Sequence, residues 1–263
     1  MEFNTIEFAI TEGVATLTFN RPKSLNSFTV EMHAEIRAAM QQVTDDAAIR
    51  CLVITGAGRG FCAGQDLGDR ASTGAGDIPD VGKSVKEDYN PLIRSIMDLP
   101  KPVICAVNGV AAGAGASIAL ACDIVLAARS ASFIQVFCKI GLIPDSGGTW
   151  NLPRAVGLAR AKGLAMLGER LPAETAESWG LIWKCVDDDV LQQEAQKMAR
   201  YFATQPTRAL GRIKHLLHES TTNTLSGQLV LEQQAMQELG QSEDYREGVA
   251  AFLEKRTPVF KGH

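Results

Sequence analysis

Two segments of the chain combine glycines and other small residues in a way that lets backbone come close to a ligand. GAGRGFCAGQDL spans 56–67 and NGVAAGAGAS spans 108–117. Each follows a short apolar run, and the second leads into an apolar helical pattern. Small side chains leave amide N–H groups accessible, and an N–H at a helix start carries the positive end of the helix dipole. Two such amides converging on one point make an oxyanion hole, which stabilises a carbonyl oxygen as it takes up negative charge. The same segments also fit tight turns that pack a helix on a strand, and neither segment alone separates the two roles. Neither matches a Walker A loop or the GxGxxG dinucleotide pattern, which argues against nucleotide binding of those kinds.

The elements that would carry these segments are legible in the patterning. Residues 3–9 and 14–20 are β-branched and aromatic runs separated by Thr11-Glu12-Gly13, a hairpin signal that ends in the Asn20-Arg21-Pro22 turn. Thr29 precedes Met32, Ile36, Met40 and Val43, which form one apolar stripe and predict a helix capped by Thr29. Buried strands are expected at 50–56, 103–107 and 124–127, with helical stretches between them. That alternation predicts an α/β fold with parallel crossovers. Residues 71–83 (ASTGAGDIPDVGK) read as a surface loop, either a lid or an insertion. Beyond about residue 187 the strand signal stops, and helices are expected at 190–202, 207–219, 225–240 and 243–254. The chain therefore divides into a core over 1–190 and a helical region over 191–263.

Composition narrows the class of function. The 263 residues are 46% hydrophobic and 21% charged, enough apolar material for a substantial core and against global disorder. The 26 Lys and Arg are outweighed by 30 Asp and Glu, and no basic run is present, which argues against nucleic acid as a partner. Cys51, Cys62, Cys105, Cys122, Cys138 and Cys185 form no CxxC pair and sit among apolar or small neighbours. They read as buried thiols in a reducing compartment, with no metal site. With no signal-peptide pattern and no apolar stretch long enough to span a bilayer, the expectation is a cytoplasmic protein without a membrane partner.

Several motifs in a fixed order carry a resemblance. Asn20-Arg21-Pro22, FCAGQDL at 61–67, KPVICAVNGVAAGAG at 101–115, CDI at 122–124, GLIPDSGGTWNLPR at 141–154 and EKRTPVF at 254–260 together resemble the crotonase (enoyl-CoA hydratase/isomerase) superfamily across nearly the whole chain. The resemblance implies a spiral of ββα repeats followed by C-terminal helices that mediate trimerisation, with a homotrimer or a hexameric dimer of trimers as the assembly. It implies an acyl-CoA thioester as substrate and no cofactor beyond the coenzyme A that the substrate brings. By position, the oxyanion donors fall on the backbone N–H groups of Gln65 and Ala114. CoA contacts fall on Ala63, Gln65 and Leu67, with Lys23 near the phosphates.

The resemblance also bears on the reaction. Hydratases of the family use two glutamates, and their positions fall here on Ser117 and Phe137, which are left to line the acyl pocket. A carboxylate stands instead at Asp145, where some isomerases and a dehalogenase group of the superfamily carry one; an ordinary helix N-cap is the alternative role. One carboxylate suits a proton shuttle with the enolate held between its two steps. NPLIR at 90–94, FATQPT at 202–207, NTL at 223–225 and DYREGV at 244–249 resemble a branch that converts ring 1,2-epoxyphenylacetyl-CoA to oxepin-CoA and shifts 3-enoyl-CoA to 2-enoyl-CoA. An enoyl-CoA hydratase is the catalytic alternative, and a non-catalytic CoA-ester or RNA-binding relative is the alternative of another class. Asp66 and Asp123 are expected to be structural, and the four histidines receive no role. Trp150, Trp179 and Trp183 are expected to pack, and Tyr89 and Asn90 are candidates for the acyl pocket.

Overall fold

The computed structural model describes residues 3–68 and 80–263. Its first hairpin pairs β1 (Ile6–Thr11) antiparallel to β2 (Val14–Phe19) around Glu12-Gly13. Helix α1 (Val30–Asp45) follows. Thr29 caps it by accepting a hydrogen bond from the Met32 N–H at 3.2 Å, and Met32, Ile36, Met40 and Val43 all face the core.

From there the chain repeats one unit. A long strand is followed by a short strand in a second sheet and then by helix: β3 (Cys51–Gly56) and β4 (Gly60–Cys62) lead to α2 (Val81–Ser84), a π-helical turn (Val85–Tyr89) and α3 (Asn90–Met97). Next come β5 (Val103–Val107), β6 (Val110–Ala112) and α4 (Ala114–Leu120). Then β7 (Ile124–Ala128) and β8 (Ser132–Ile134) lead through a 3-10 turn (Val136–Ile140) to α5 (Gly148–Leu167). The chain continues through β9 (Arg170–Pro172), α6 (Ala173–Ser178) and β10 (Lys184–Val186). It ends in α7 (Leu191–Ala203), α8 (Thr207–Glu219), α9 (Leu225–Leu239) and α10 (Glu243–Glu254).

The strands form a six-stranded sheet, β1-β2-β3-β5-β7-β10, parallel from β2 onward, and a four-stranded sheet, β4-β6-β8-β9. Equivalent positions align through the repeats: Leu17, Ile54, Cys105 and Val125 lie side by side in the first sheet. Cys62, Ala111, Phe133 and Leu171 do so in the second. This is the ββα spiral expected from the resemblance. Every residue of β3 and β5 is buried, as parallel strands covered on both faces must be. Helix α7 covers one face with Ala195 and Ala199, and its Gln192 and Gln196 donate to Thr55 Oγ1 and Thr16 Oγ1, each at 3.0 Å.

Four expectations need correction. The short strands β4, β6, β8, β9 and β10 are absent from the sequence reading, because three-residue strands inside glycine-rich or turn-like stretches give no period-2 signal. The predicted loop is shorter than 71–83, because Asp80 caps α2 by accepting from the Lys83 N–H and residues 81–84 are helical; residues 71–79 lie outside the described residues. The cysteines are unbridged, but Cys138 and Cys185 are only half-buried. The tryptophans differ as well: Trp150 is exposed with the Arg154 guanidinium over its ring, and Trp183 is exposed.

Candidate active site

The first glycine segment leaves the end of β3 and is stapled by Asn26, a fully buried residue with left-handed backbone. Its Nδ2 donates to Ala57 O at 2.9 Å, Gly60 O at 2.8 Å and Phe61 O at 3.1 Å, while its Oδ1 accepts from the Arg21 N–H. Gly56 is required there, since a Cβ would stand 2.5 Å from Phe61 O. The Asn20-Arg21-Pro22 turn is the other half of the clamp. Arg21 Nη1 pairs with Asp66 Oδ2 at 2.9 Å, and Asp66 also accepts from Ser27 Oγ and the Gly68 N–H. Asp66 is thus structural, as expected, and it fixes the residue next to Gln65.

Gln65 pairs with Phe28 as an isolated parallel bridge: the Phe28 N–H donates to Gly64 O at 2.8 Å and Phe28 O accepts from the Asp66 N–H at 2.9 Å. In a parallel bridge the residue between those two bonds turns its own N–H and C=O away from the partner strand. The N–H of Gln65 is therefore directed off that edge. The preceding Gly64, at φ +90°, lies against the second glycine segment: a Cβ there would stand 3.0 Å from Ala112 O and 3.4 Å from the Ala114 nitrogen. Ala114 is the first residue of α4, so its N–H precedes the first intrahelical bond. The fold thus brings the two glycine segments into contact at Gly64 and Ala114, next to Gln65. Glycine at 115 is what permits it, since a Cβ would come within 2.3 Å of Cys62 O.

Helix α4 connects this point to Asp145. Ser117, three residues into the helix from Ala114 and fully buried, lies against Gly148, where a Cβ would meet its Oγ at 2.7 Å. The Gly148 N–H in turn donates to Asp145 O at 2.8 Å. Asp145 is half-buried and its Oδ1 accepts from Ser146 Oγ at 2.9 Å. The capping position of α5 belongs to Gly147, with no side-chain cap, so the N-cap role for Asp145 is not the one adopted. Ser146 is buried at φ +52°, a conformation uncommon for a residue with a Cβ and typical of functional turns. Phe137 is buried with its ring edge close to Gly113. Among the described residues, Ser117 Oγ and Gln135 Oε1 are buried polar atoms without a hydrogen-bond partner, and both flank Gly148.

The remaining expected residues lie outside these contacts. Lys23 is exposed on a 3-10 turn (Pro22–Ser24), and Pro22 lies against Gly58. Ala63 is half-buried, its N–H bonded to Leu25 O, and Leu67 is exposed. Tyr89 is 1% exposed and hydrogen-bonds Gln65, while Asn90 is exposed. Asp123 accepts from the Val103 N–H and pairs with the buried Lys214 of α8 at 3.0 Å, a structural role as expected. Asn26 and Ser146 leave no signal in the sequence, nor does the Tyr89–Gln65 bond, because they depend on partners distant in sequence or on backbone conformation.

Comparison with known proteins agrees with this architecture. The family model described as enoyl-CoA hydratase/isomerase matches residues 9–263. The chain is 59% identical to the 1,2-epoxyphenylacetyl-CoA isomerase of Escherichia coli K12, over 96% of this chain and 97% of that protein. It is 47% identical, over the full length of both, to a Rhodobacter capsulatus protein named "Probable enoyl-CoA hydratase". Among solved structures, an enoyl-CoA hydratase from Polaromonas sp. JS666 superposes with a TM-score of 0.90 at 38% identity, covering 97% of this chain and 99% of that one. The chain belongs to the enoyl-CoA hydratase/isomerase family, the crotonase family.

Proposed function

We propose that this protein is an isomerase of acyl-CoA thioesters that uses Asp145 as a proton shuttle and the N–H groups of Gln65 and Ala114 as an oxyanion hole. The observation that carries the reading is the contact between the two glycine segments at Gly64 and Ala114, with the Asp145 turn held against the same helix by Gly148. The carboxylate takes a proton from the carbon next to the thioester. The thioester oxygen takes up the charge as an enolate, stabilised by the two amides. The proton then returns at a different carbon. Substrate and product are isomers, so the step consumes no oxidant, reductant or water, and the only coenzyme needed is the CoA of the substrate.

The 59% identity to the E. coli enzyme supports ring 1,2-epoxyphenylacetyl-CoA as the substrate, with oxepin-CoA as the product. The same shuttle would move the double bond of a 3-enoyl-CoA to the 2,3 position. Ser117 and Phe137 line the acyl side of the site, and neither can act as a carboxylate base. This favours isomerisation over the hydratase activity named for the R. capsulatus relative. Lys23, Ala63, Gln65 and Leu67 are proposed to meet the CoA moiety. We propose a homotrimer or a dimer of trimers in the cytoplasm; the exposed apolar side chains of α9 and α10 support the assembly, and six unbridged cysteines support a reducing compartment.

The test is turnover of a 3-enoyl-CoA in D₂O beside hydration of crotonyl-CoA. Isomerisation with deuterium incorporation and little hydration is expected. Asp145→Asn should bind the ester with little change and lose roughly 10³-fold in turnover. Fast hydration, or full activity of Asp145→Asn, overturns the mechanism.

A further inference from the structure

The Gln65 side chain has no role in the oxyanion hole, which uses backbone, yet it is held at both ends. Its Nε2 donates to Phe28 O at 3.0 Å and to Asp66 O at 3.3 Å. Its Oε1 accepts from the Tyr89 hydroxyl at 2.9 Å. Tyr89 is itself almost fully buried, with the His33 ring packed edge-on at 4.5 Å and the Phe28 ring at 5.9 Å. Phe28 therefore touches both partners: its backbone bridges Gln65 and its ring packs on Tyr89. The result is a closed triangle of Phe28, Gln65 and Tyr89 around the amide that would face the substrate.

Tyr89 also occupies a particular place in the chain. It ends the π-helical turn Val85–Tyr89, in which the Asn90 N–H reaches back to Val85 O. Such turns insert an extra residue, shift the side chains that follow, and are frequent at functional sites.

We infer that Tyr89 is a positioning residue for the oxyanion hole: its hydroxyl fixes the Gln65 amide, and through it the direction of the Gln65 N–H. The inference rests on the proposed role of that N–H. A hydrogen bond to an oxyanion depends steeply on direction, and its catalytic value comes from being in place before charge develops. Gly64 and Asp66 are already bonded to Phe28 and Asp66 is paired with Arg21, so the side-chain bonds of Gln65 add the tie at the residue between them, whose N–H faces away from that bridge.

The test compares Tyr89→Phe with the wild-type enzyme, keeping the ring and removing only the hydroxyl. Two readouts are needed. The first is steady-state isomerisation of a 3-enoyl-CoA. The second is the infrared carbonyl stretch of bound ¹³C-carbonyl phenylacetyl-CoA, which moves to lower frequency when the oxygen accepts strong hydrogen bonds. Tyr89→Phe should lower kcat about tenfold, a fraction of the loss from removing an oxyanion donor outright. KM should stay within about twofold, since the hydroxyl acts on the transition state. The carbonyl shift should shrink, and the melting temperature should change little.

Gln65→Leu, which cuts the same chain at its other link, should reproduce the loss. Adding Tyr89→Phe to it should cost nothing further, because the two act as one unit. If the wild type shows the carbonyl shift and Tyr89→Phe retains both the shift and full kcat, Tyr89 has no positioning role. If bound wild type shows no carbonyl shift, the oxyanion role of Gln65 fails, and this inference with it. A drop in melting temperature with kcat intact would mark a purely structural contact and also overturn it.

Discussion

At the scale of single residues, the site is built from close approaches that only glycine allows. Gly115 is one such case, because α4 lies so near β4 that a Cβ would overlap the Cys62 carbonyl and side chain at once. Gly115→Ala should therefore destabilise the fold by about 1–3 kcal/mol through overpacking and push Ala114 away from Gln65. Melting curves and turnover together check this, and a variant of wild-type stability would mean that α4 has room to shift. Cys62 lies in the same contact. Burial pushes its thiol up to about 12, against the smaller effect of the hydrogen bond from the Gly64 N–H, so it packs as a neutral group and is a poor nucleophile at neutral pH.

At the scale of elements, the N-terminal hairpin is tied to α1 through one carboxylate. Glu35 accepts from the Asn4 N–H at 2.7 Å, the Thr5 N–H at 2.8 Å and the Thr5 hydroxyl. Burial acts to raise this carboxyl, but the hydrogen bonds from Asn4 and Thr5 outweigh it and hold it below the ordinary value. A carboxyl lowered in the folded state contributes stability above its unfolded value, and that contribution is lost as pH falls through the folded value. Glu35→Gln should therefore melt lower than wild type at pH 7, and the gap should close below about pH 4. A gap independent of pH would assign the effect to hydrogen-bond geometry and remove the role of charge.

At the scale of the whole molecule, the C-terminal helices leave apolar surface uncovered. Met236, Phe252 and Leu253 are each more than two-thirds exposed, and they border a hollow of about 760 Å³ between the start of α8, the end of α9 and α10. Patches of this kind mark interfaces. Sedimentation should give a mass at a multiple of three chains, and Phe252→Glu should shift it toward smaller species at micromolar concentration. A monomeric wild type would rule out the proposed assembly. Lys214 of α8 reaches Ile96 O at 2.7 Å, and Arg50 holds Phe260 O, beyond α10, at 2.9 Å, tying this region to the core at both ends.

The sequence alone determined the periodic elements and pointed to the candidate positions for chemistry. The Thr29 cap, the apolar stripe of α1, the long buried strands and the four C-terminal helices follow from spacing that local physics enforces. The glycine segments and Asp145 were visible because rare residue types stand at fixed places in a motif order. Tertiary structure decided the rest. Three-residue strands such as β4 and β6 form only because the neighbouring repeat supplies their partners. The Asn26 staple, the left-handed Ser146 and the Tyr89–Gln65 bond join residues far apart in sequence or depend on backbone angles, and neither leaves a trace in local pattern. Contact between the two glycine segments is likewise a property of how successive ββα turns stack, which no single segment encodes.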